Sequence, residues 1–341
     1  MESSTGEWRR SNSSQIAVIT QETSEAAQMI RAGGLVAFPT ETVYGLGGNA
    51  LDVEAVARIF SAKERPHFDP LIVHAADAES ALSFARDVPD IAIGLAAHFW
   101  PGPLTLLLPK KDAIPDLVTA GLPDVGLRVP DHPFALAMLR EAGCPVAAPS
   151  ANPFGRVSPT TAIHVMEQLG HRIDMVLDGG PCRVGIESTV LRLGPGRPSI
   201  LRHGGVTQES LEAFLGPLES VTSPLAETVP QTSPGQLLQH YSPRTPLSIL
   251  PTWDAALPEV KKLGGLAFQA PPCPERFDRL EVLSPTGDFV EATARFFAAL
   301  RSLDASGVDL IVATPFPQVN LGRALNDRLF RAAAKAQYID G

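Results

Sequence analysis

Cysteine is scarce in this chain. Among 341 residues there are three, Cys144, Cys182 and Cys273, widely spaced and without a CxxC pair. An odd, scattered set excludes a disulfide-stapled secreted scaffold and fits reduced, packed thiols in a reducing compartment. The eight histidines show neither HExxH nor a short paired spacing, so the side chains build no zinc site of their own. GxxxxGK[ST] and GxSxG are both absent, which removes a P-loop and a hydrolase nucleophile elbow. Basic residues are in deficit, 28 Lys plus Arg against 37 Asp plus Glu, for a formal charge of −9. That balance, with no aromatic-basic stripe, counts against an RNA-binding module or a membrane-surface protein and leaves room for a local basic pocket. The most apolar stretch, Ile91–Leu108, is interrupted by His98, Pro101 and Pro103 and cannot span a bilayer. Residues 1–15, MESSTGEWRRSNSSQ, lack an apolar core and read as a disordered tail rather than a signal peptide. The expectation is a cytoplasmic protein of two domains.

What is present is organised around Gly33–His74. Leu35–Phe38 reads as a buried strand stopped by Pro39, which has no N–H to offer a neighbour. Gly45, Gly47 and Gly48 follow and read as a flexible turn that lets backbone approach a ligand. They match GxGxxA as far as Ala50, but Pro39 and five more residues separate them from their strand, unlike a dinucleotide fingerprint. Asp52 caps a helix with Val53, Val56, Ala57 and Phe60 at i, i+3, i+4 and i+7. The helix delivers Lys63 and Arg65 before Pro66, and Leu71–Val73 is a second strand with His74 at its carboxyl end.

Around this stretch, strands are expected at Ile16–Ile19, Leu104–Leu108, Gly126–Val129, Val146–Ala148, Met175–Leu177, Ser188–Leu193 and Ser199–Leu201. Helices are expected at Thr23–Ala32, after Asp77, after Pro133, at Thr161–Leu169 and at Thr207–Leu215. Strands and helices do not alternate strictly, so the fold class is α/β with a mixed, twisted sheet. Residues 216–246 carry Pro217, Pro224, Pro230, Pro234, Pro243 and Pro246 with no lasting period, and read as a semi-stiff linker. Beyond it, strands at Leu247–Leu250, Leu266–Phe268, Leu280–Leu283 and Leu310–Ala313 alternate with helices at Asp254–Lys262, Phe289–Leu303 and Leu321–Ala336. That is a small parallel α/β domain, and it has no GxGxxG to make it a nicotinamide site. Asn326, Asp327 and Arg328 group on its last helix, either as a docking surface or as a solvated face.

Lys63 and Arg65 by themselves suit a helix C-terminus, where cations offset the macrodipole. Their weight rises because Arg128, Ser150, Asn152, Ser188 and Arg202 also stand at strand ends or in the loops after them. Guanidinium groups and hydroxyls meeting there suggest a concave site for an anionic ligand, without naming it.

At these residues the chain closely resembles the threonylcarbamoyl-AMP synthase family in its long, two-domain form. The matching stretches are PTETVYGLG (39–47), KERP (63–66), PLIVH (70–74), FWPGPLT (99–105) and APSAN (148–152). They continue as DGGPCRVGIESTV (178–190), ILRHGG (200–205) and SPGQLLQHYSP (233–243), so the resemblance runs from about Ile16 to the C-terminal domain.

The resemblance implies a YrdC-like catalytic domain at 13–215, a linker or lid at 216–246 and a smaller Rossmann-like domain at 247–341. It implies condensation of L-threonine, bicarbonate and ATP to threonylcarbamoyl-adenylate and pyrophosphate, with Mg2+ accompanying ATP. A tRNA threonylcarbamoyl-transferase complex would take the product to the adenosine beside the anticodon, and any tRNA binding by this acidic chain would be weak. By resemblance Thr42, His74, Arg128, the backbone at Ala148 and Ser188 hold L-threonine. Arg65, Asp69, Asp124, Ser150, Asn152, Ser158, Arg202 and Tyr241 line the ATP site, Lys63 and Arg65 stabilise phosphate charge, and Tyr241 makes the linker a lid. No general base stands out, so positioning and charge carry the reaction. The family more often has Asn at 69 and Thr at 124, and a carboxylate at either place would repel a triphosphate unless something intervenes.

Overall fold

The computed structural model describes residues 16–194, 196–220 and 241–333. The expected N-terminal tail, the linker between 221 and 240, and the last turn of the final helix lie outside them.

In chain order the first strands are β1 (Val18–Thr20), β2 (Val36–Phe38), β3 (Gly45–Asn49), β4 (Ile72–His74), β5 (Leu104–Pro109) and β6 (Asp124–Arg128). They continue as β7 (Val146–Ala147), β8 (Met175–Leu177), β9 (Thr189–Arg192), β10 (Ser199–Arg202) and β11 (Glu219–Ser220). All 11 form one sheet in the order β1-β8-β2-β3-β7-β4-β6-β5-β9-β10-β11. Parallel pairs such as β4 with β6 and β5 with β9 sit beside antiparallel ones such as β2 with β3 and β5 with β6, a mixed sheet as the irregular alternation predicts. β11 falls inside the stretch read as linker and pairs in parallel with β10. The second sheet comprises β12 (Leu247–Ile249), β13 (Leu263–Ala267), β14 (Arg279–Val282) and β15 (Leu310–Ala313), all parallel, in the order β12-β15-β13-β14.

Two expectations are corrected. The glycines at 45, 47 and 48 are not a turn: they are the body of β3, hydrogen-bonded to β2 on one side and β7 on the other. Their role is steric, since a Cβ at Gly47 would stand 2.7 Å from Val146 Cγ1 and 2.8 Å from Phe38 Cε1. Asp254–Lys262 is not a helix but an irregular stretch with a turn and bends at its ends. Pro258 interrupts it, and Trp253, Ala255 and Leu257 instead pack beside Leu250, Leu263 and Phe277.

The helix Val53–Lys63 forms as its cap predicts: Asp52 accepts hydrogen bonds from the N–H groups of Glu54 (2.9 Å) and Ala55 (3.4 Å). Its buried stripe is Ala55, Val56, Ile59, Phe60 and Ala62, while Val53 is exposed because the first turn faces outward. Glu64 ends it in the left-handed region at φ 54°, which lets Lys63 and Arg65 both turn inward.

The two sheets share packing. Val43, Val157 and Ile186, from loops of the first sheet, join Tyr241, Phe296, Phe297 and Leu300 in one buried apolar cluster. A Cβ on Gly185, at φ +79°, would lie 2.3 Å from the carbonyl oxygen of Thr293 and 2.5 Å from Ala294 Cα. The helix Phe289–Ala305 therefore rests directly on the loop leading into β9.

Candidate active site

The loops at the ends of β2, β4, β6, β7, β9 and β10 converge on one cavity. Thr40, Thr42, Val43, Arg65, Ile72, His74, Arg128, Ala148, Ser150, Glu187, Ser188, Arg202 and Tyr241 line it, and it encloses about 540 Å³ of atom-free space including its mouth. Three guanidinium groups against one carboxylate make the lining suited to anions.

Arg128 ends β6 and is buried against Glu41, its Nη2 2.8 Å from Glu41 Oε1. The same nitrogen donates to Thr42 Oγ1 (2.9 Å), and Nε donates to the Gly102 carbonyl (3.3 Å) supplied by the WPGP loop. Glu41, fully buried, also accepts from the Asp131 N–H (3.0 Å). Thr42 Oγ1 stands 2.7 Å from Thr40 Oγ1, which in turn donates to the Val43 carbonyl. His74 is buried, and burial with Arg128 close by lowers its pKa to about 3, so its imidazole is neutral at physiological pH. The Ala148 N–H donates to the Ile72 carbonyl (2.9 Å). Ser188, at the entrance to β9, stands 2.8 Å from Thr105 Oγ1, and its Oγ accepts from Arg202 Nη2 (3.1 Å).

Arg65 pairs with Asp69 at 2.8 Å and donates to the carbonyls of Asp69 (3.1 Å) and Pro70 (2.9 Å). Asp69 is fully buried behind the cavity wall, its pKa raised by burial and opposed by Arg65, Lys63 and Arg202. The Lys63 ammonium donates to the carbonyls of Ser150 and Asn152, so it pins the loop after β7. Burial pushes its pKa well down, Arg65 adds to this, and Asp69 opposes it. Asn152 donates to the carbonyls of Pro153 and Arg156, both at 2.9 Å, and Ser158 donates to Glu187 Oε1 at 2.7 Å. Tyr241 is fully buried at φ 62° with its ring 5.4 Å from that of Phe297.

Of the fourteen positions named from the sequence, Thr42, Arg65, His74, Arg128, Ala148, Ser150, Ser188, Arg202 and Tyr241 line this cavity. Lys63, Asp69, Asn152 and Ser158 lie behind its wall as supports. Asp124 does not join them: it lines a second, mostly apolar cavity with Pro70, Leu107, Leu122, Val190 and Arg192. Sequence reading missed Glu41, Glu187 and Thr105, and left Arg328 open between a docking surface and a solvated face. Glu41 and Glu187 stand inside PTET and GIEST, beside residues that were singled out, so position within those motifs was the available signal. Among the described residues no group of three or more acidic, histidine or cysteine side chains could hold a metal ion, and none of the helices is long and apolar enough to cross a membrane.

A mixed sheet gathering arginines at its strand ends, followed by a parallel sheet packed on the same loops, is the architecture of the Sua5, YciO and YrdC class. Residues 28–204 match that family's model, described as telomere recombination, and residues 206–334 match the threonylcarbamoyl-AMP synthase C-terminal domain. The chain belongs to the threonylcarbamoyl-AMP synthase family, enzymes of the nucleotidyltransferase class. It is 41% identical over 319 residues to the Bacillus subtilis threonylcarbamoyl-AMP synthase, covering 91% of this chain and 92% of the relative. The Pyrococcus abyssi enzyme is 41% identical over 322 residues, 90% of this chain and 93% of its own length. The solved structure of P. abyssi Sua5 complexed with L-threonine superposes with a TM-score of 0.83 at 38% identity, covering 93% of this chain and 97% of that one.

Proposed function

We propose that this chain condenses L-threonine, bicarbonate and ATP to threonylcarbamoyl-adenylate and pyrophosphate in the cytoplasm. A tRNA threonylcarbamoyl-transferase complex then consumes the product beside the anticodon. The observation that carries this reading is one cavity whose lining brings Arg128, Thr42, His74 and Ser188 together with Arg65, Ser150, Arg202 and Tyr241. The first group suits an amino acid. Arg128, held through Nη2 and Nε by Glu41, Thr42 and Gly102, donates from Nη1 to a carboxylate, and the hydroxyls of Thr42 and Ser188 meet the substrate hydroxyl. The Ala148 N–H is taken by Ile72, so its carbonyl is the backbone group that would receive an ammonium. A neutral His74 adds no charge that would compete with Arg128 for the carboxylate.

The second group suits a polyphosphate. The free threonine amine and bicarbonate form a carbamate with loss of water, and a carbamate oxygen attacks the α-phosphate and displaces pyrophosphate. Arg65 and Arg202 supply charge there, and Ser150 presents its hydroxyl from a loop pinned by Lys63. Lys63 thus acts on the phosphates through that loop. The residues do not fit a protein-built Mg2+ site, because Asp69 is committed to Arg65, and Mg2+ would arrive as the counter-ion of ATP. That pairing also removes the repulsion a carboxylate at position 69 would otherwise exert. The catalytic unit is 13–215 extended by β11, Tyr241 brings the linker to the nucleotide, and the second sheet backs the site. Pyrophosphate release measured with ATP, L-threonine and bicarbonate, omitting each in turn, tests the proposal. Release needing all three is expected, and release indifferent to threonine refutes it.

A further inference from the structure

One carboxylate lines a cavity otherwise provided with guanidinium groups. Glu187 precedes Ser188, and an uncompensated charge there would repel a polyanion and carry the cost of its own burial. Its compensation comes from the second sheet's side of the molecule. Arg328, on the helix Gly322–Ala333 and fully buried, places Nε 3.1 Å from Glu187 Oε2. Arg328 Nη1 donates to the His203 carbonyl, in the loop just after Arg202, and its guanidinium lies 5.7 Å from the centre of the Tyr241 ring. The other Glu187 oxygen accepts from Ser158, whose carbonyl is approached by Arg301 Nε of the helix Phe289–Ala305 at 3.4 Å. An arginine on a helix that follows the second sheet therefore touches the loop before β9, the loop after β10 and the Tyr241 ring, three pieces of one wall.

We propose that Arg328 is a positioning residue of the synthase: it neutralises Glu187 and fixes the Ser158–Glu187 pair so that the cavity accepts the nucleotide. The second sheet's module is then part of the active site through one side chain rather than a separate appendage. Arg328 acts through Glu187 and does not line the cavity. Lys would not replace it, because one ammonium cannot reproduce the separate Nε and Nη1 contacts to Glu187 and His203. The inference rests on the reading of the site given above.

The test uses the full-length protein and the pyrophosphate assay, with KM for ATP and for L-threonine determined separately. Arg328→Met is expected to raise KM for ATP about ten- to a hundredfold, the equivalent of one charge-assisted contact, with KM for threonine changing less than about threefold. Arg328→Lys should recover only part of this. Because Arg328→Met leaves Glu187 stranded, Arg328→Met/Glu187→Gln should be closer to wild type in KM for ATP than Arg328→Met alone. Arg323→Ala, on the same helix as Arg328, removes the outer ion pair with Glu209 of the helix Gln208–Leu215; it is the control for loosened docking and should leave both KM values within about twofold. If Arg328→Met does not fold, Arg328→Lys and the double variant decide. Equal rises in both KM values, loss of kcat alone, or full rescue by Lys would overturn the assignment. Wild-type protein lacking threonine-dependent release would instead refute the reaction itself, a result read before any variant is made.

Discussion

Replacing Arg128 by Ala tests the buried pair at the heart of the amino-acid half of the site. Arg128 and Glu41 expose 5% and 0% of their side chains, so truncation strands a carboxylate that water cannot reach. Breaking a buried pair from one side costs about 3–5 kcal/mol, most of it the penalty on the charge left behind. At about 2–4 °C per kcal/mol for a folding unit of this size, Tm falls by roughly 6–20 °C. Glu41→Gln in the same chain removes that charge while the side-chain carbonyl can still accept from the Asp131 N–H, so the double variant should recover at least half of the loss. Thermal melts followed by circular dichroism at one scan rate read all three proteins. Threonine-dependent pyrophosphate release should be lost in the single and the double variant alike, because neither has a guanidinium for the carboxylate. A melt of Arg128→Ala within about 2 °C of wild type, or a double variant no more stable than the single, would refute the account of the pair. Activity lost without loss of stability would likewise show that Glu41 is compensated by something other than Arg128.

The remaining predictions concern His74 and Lys63. With its folded pKa near 3 against an ordinary 6.5, His74 leaves the native state short of a proton that the unfolded chain binds below pH 6.5. Stability therefore falls as pH drops from 6.5 towards 3, by at most about 1.4 kcal/mol per unit from this group. Urea melts of His74→Gln should show a shallower acid slope between pH 6 and 4, and an unchanged slope would refute the burial argument. KM for threonine should also show no inflection from His74 between pH 5 and 8. For Lys63→Met, hydrogen exchange of the backbone from Ala148 to Phe154 should speed at least about tenfold, because both carbonyl contacts that hold the loop are lost. Unchanged exchange together with a higher KM for ATP would mean that Lys63 acts directly on phosphate.

Much of the fold was legible because its signals are local. Pro39 ends β2, Asp52 starts a helix, and the interrupted alternation of apolar segments signals a mixed sheet before the linker and a parallel one after it. Where the reading failed, the deciding contacts were distant in sequence. Glycine clusters signal turns when viewed along the chain, yet Gly47 pairs with β2 as a strand residue, and it is glycine because Val146 and Phe38, from two other strands, leave no room for a Cβ. The run Asp254–Lys262 had enough apolar residues for a helical face, but Pro258 and packing beside Phe277 favoured an irregular path.

The sequence by itself marked most of the side chains that meet at the cavity, since strand ends, their flanking loops and the end of one helix carry its arginines and most of its hydroxyls. Only the tertiary structure decided what each of them does. Lys63 carries a charge that suits a phosphate and Asp69 one that would repel it, but folding commits the first to two carbonyls and the second to Arg65. Asp124 is set in a different cavity, and Arg328, 141 positions from Glu187, becomes its counter-charge. The physical reason is the same in each case. A charge's partner is fixed by burial and by which chain segment packs opposite it, and neither is written in its local sequence.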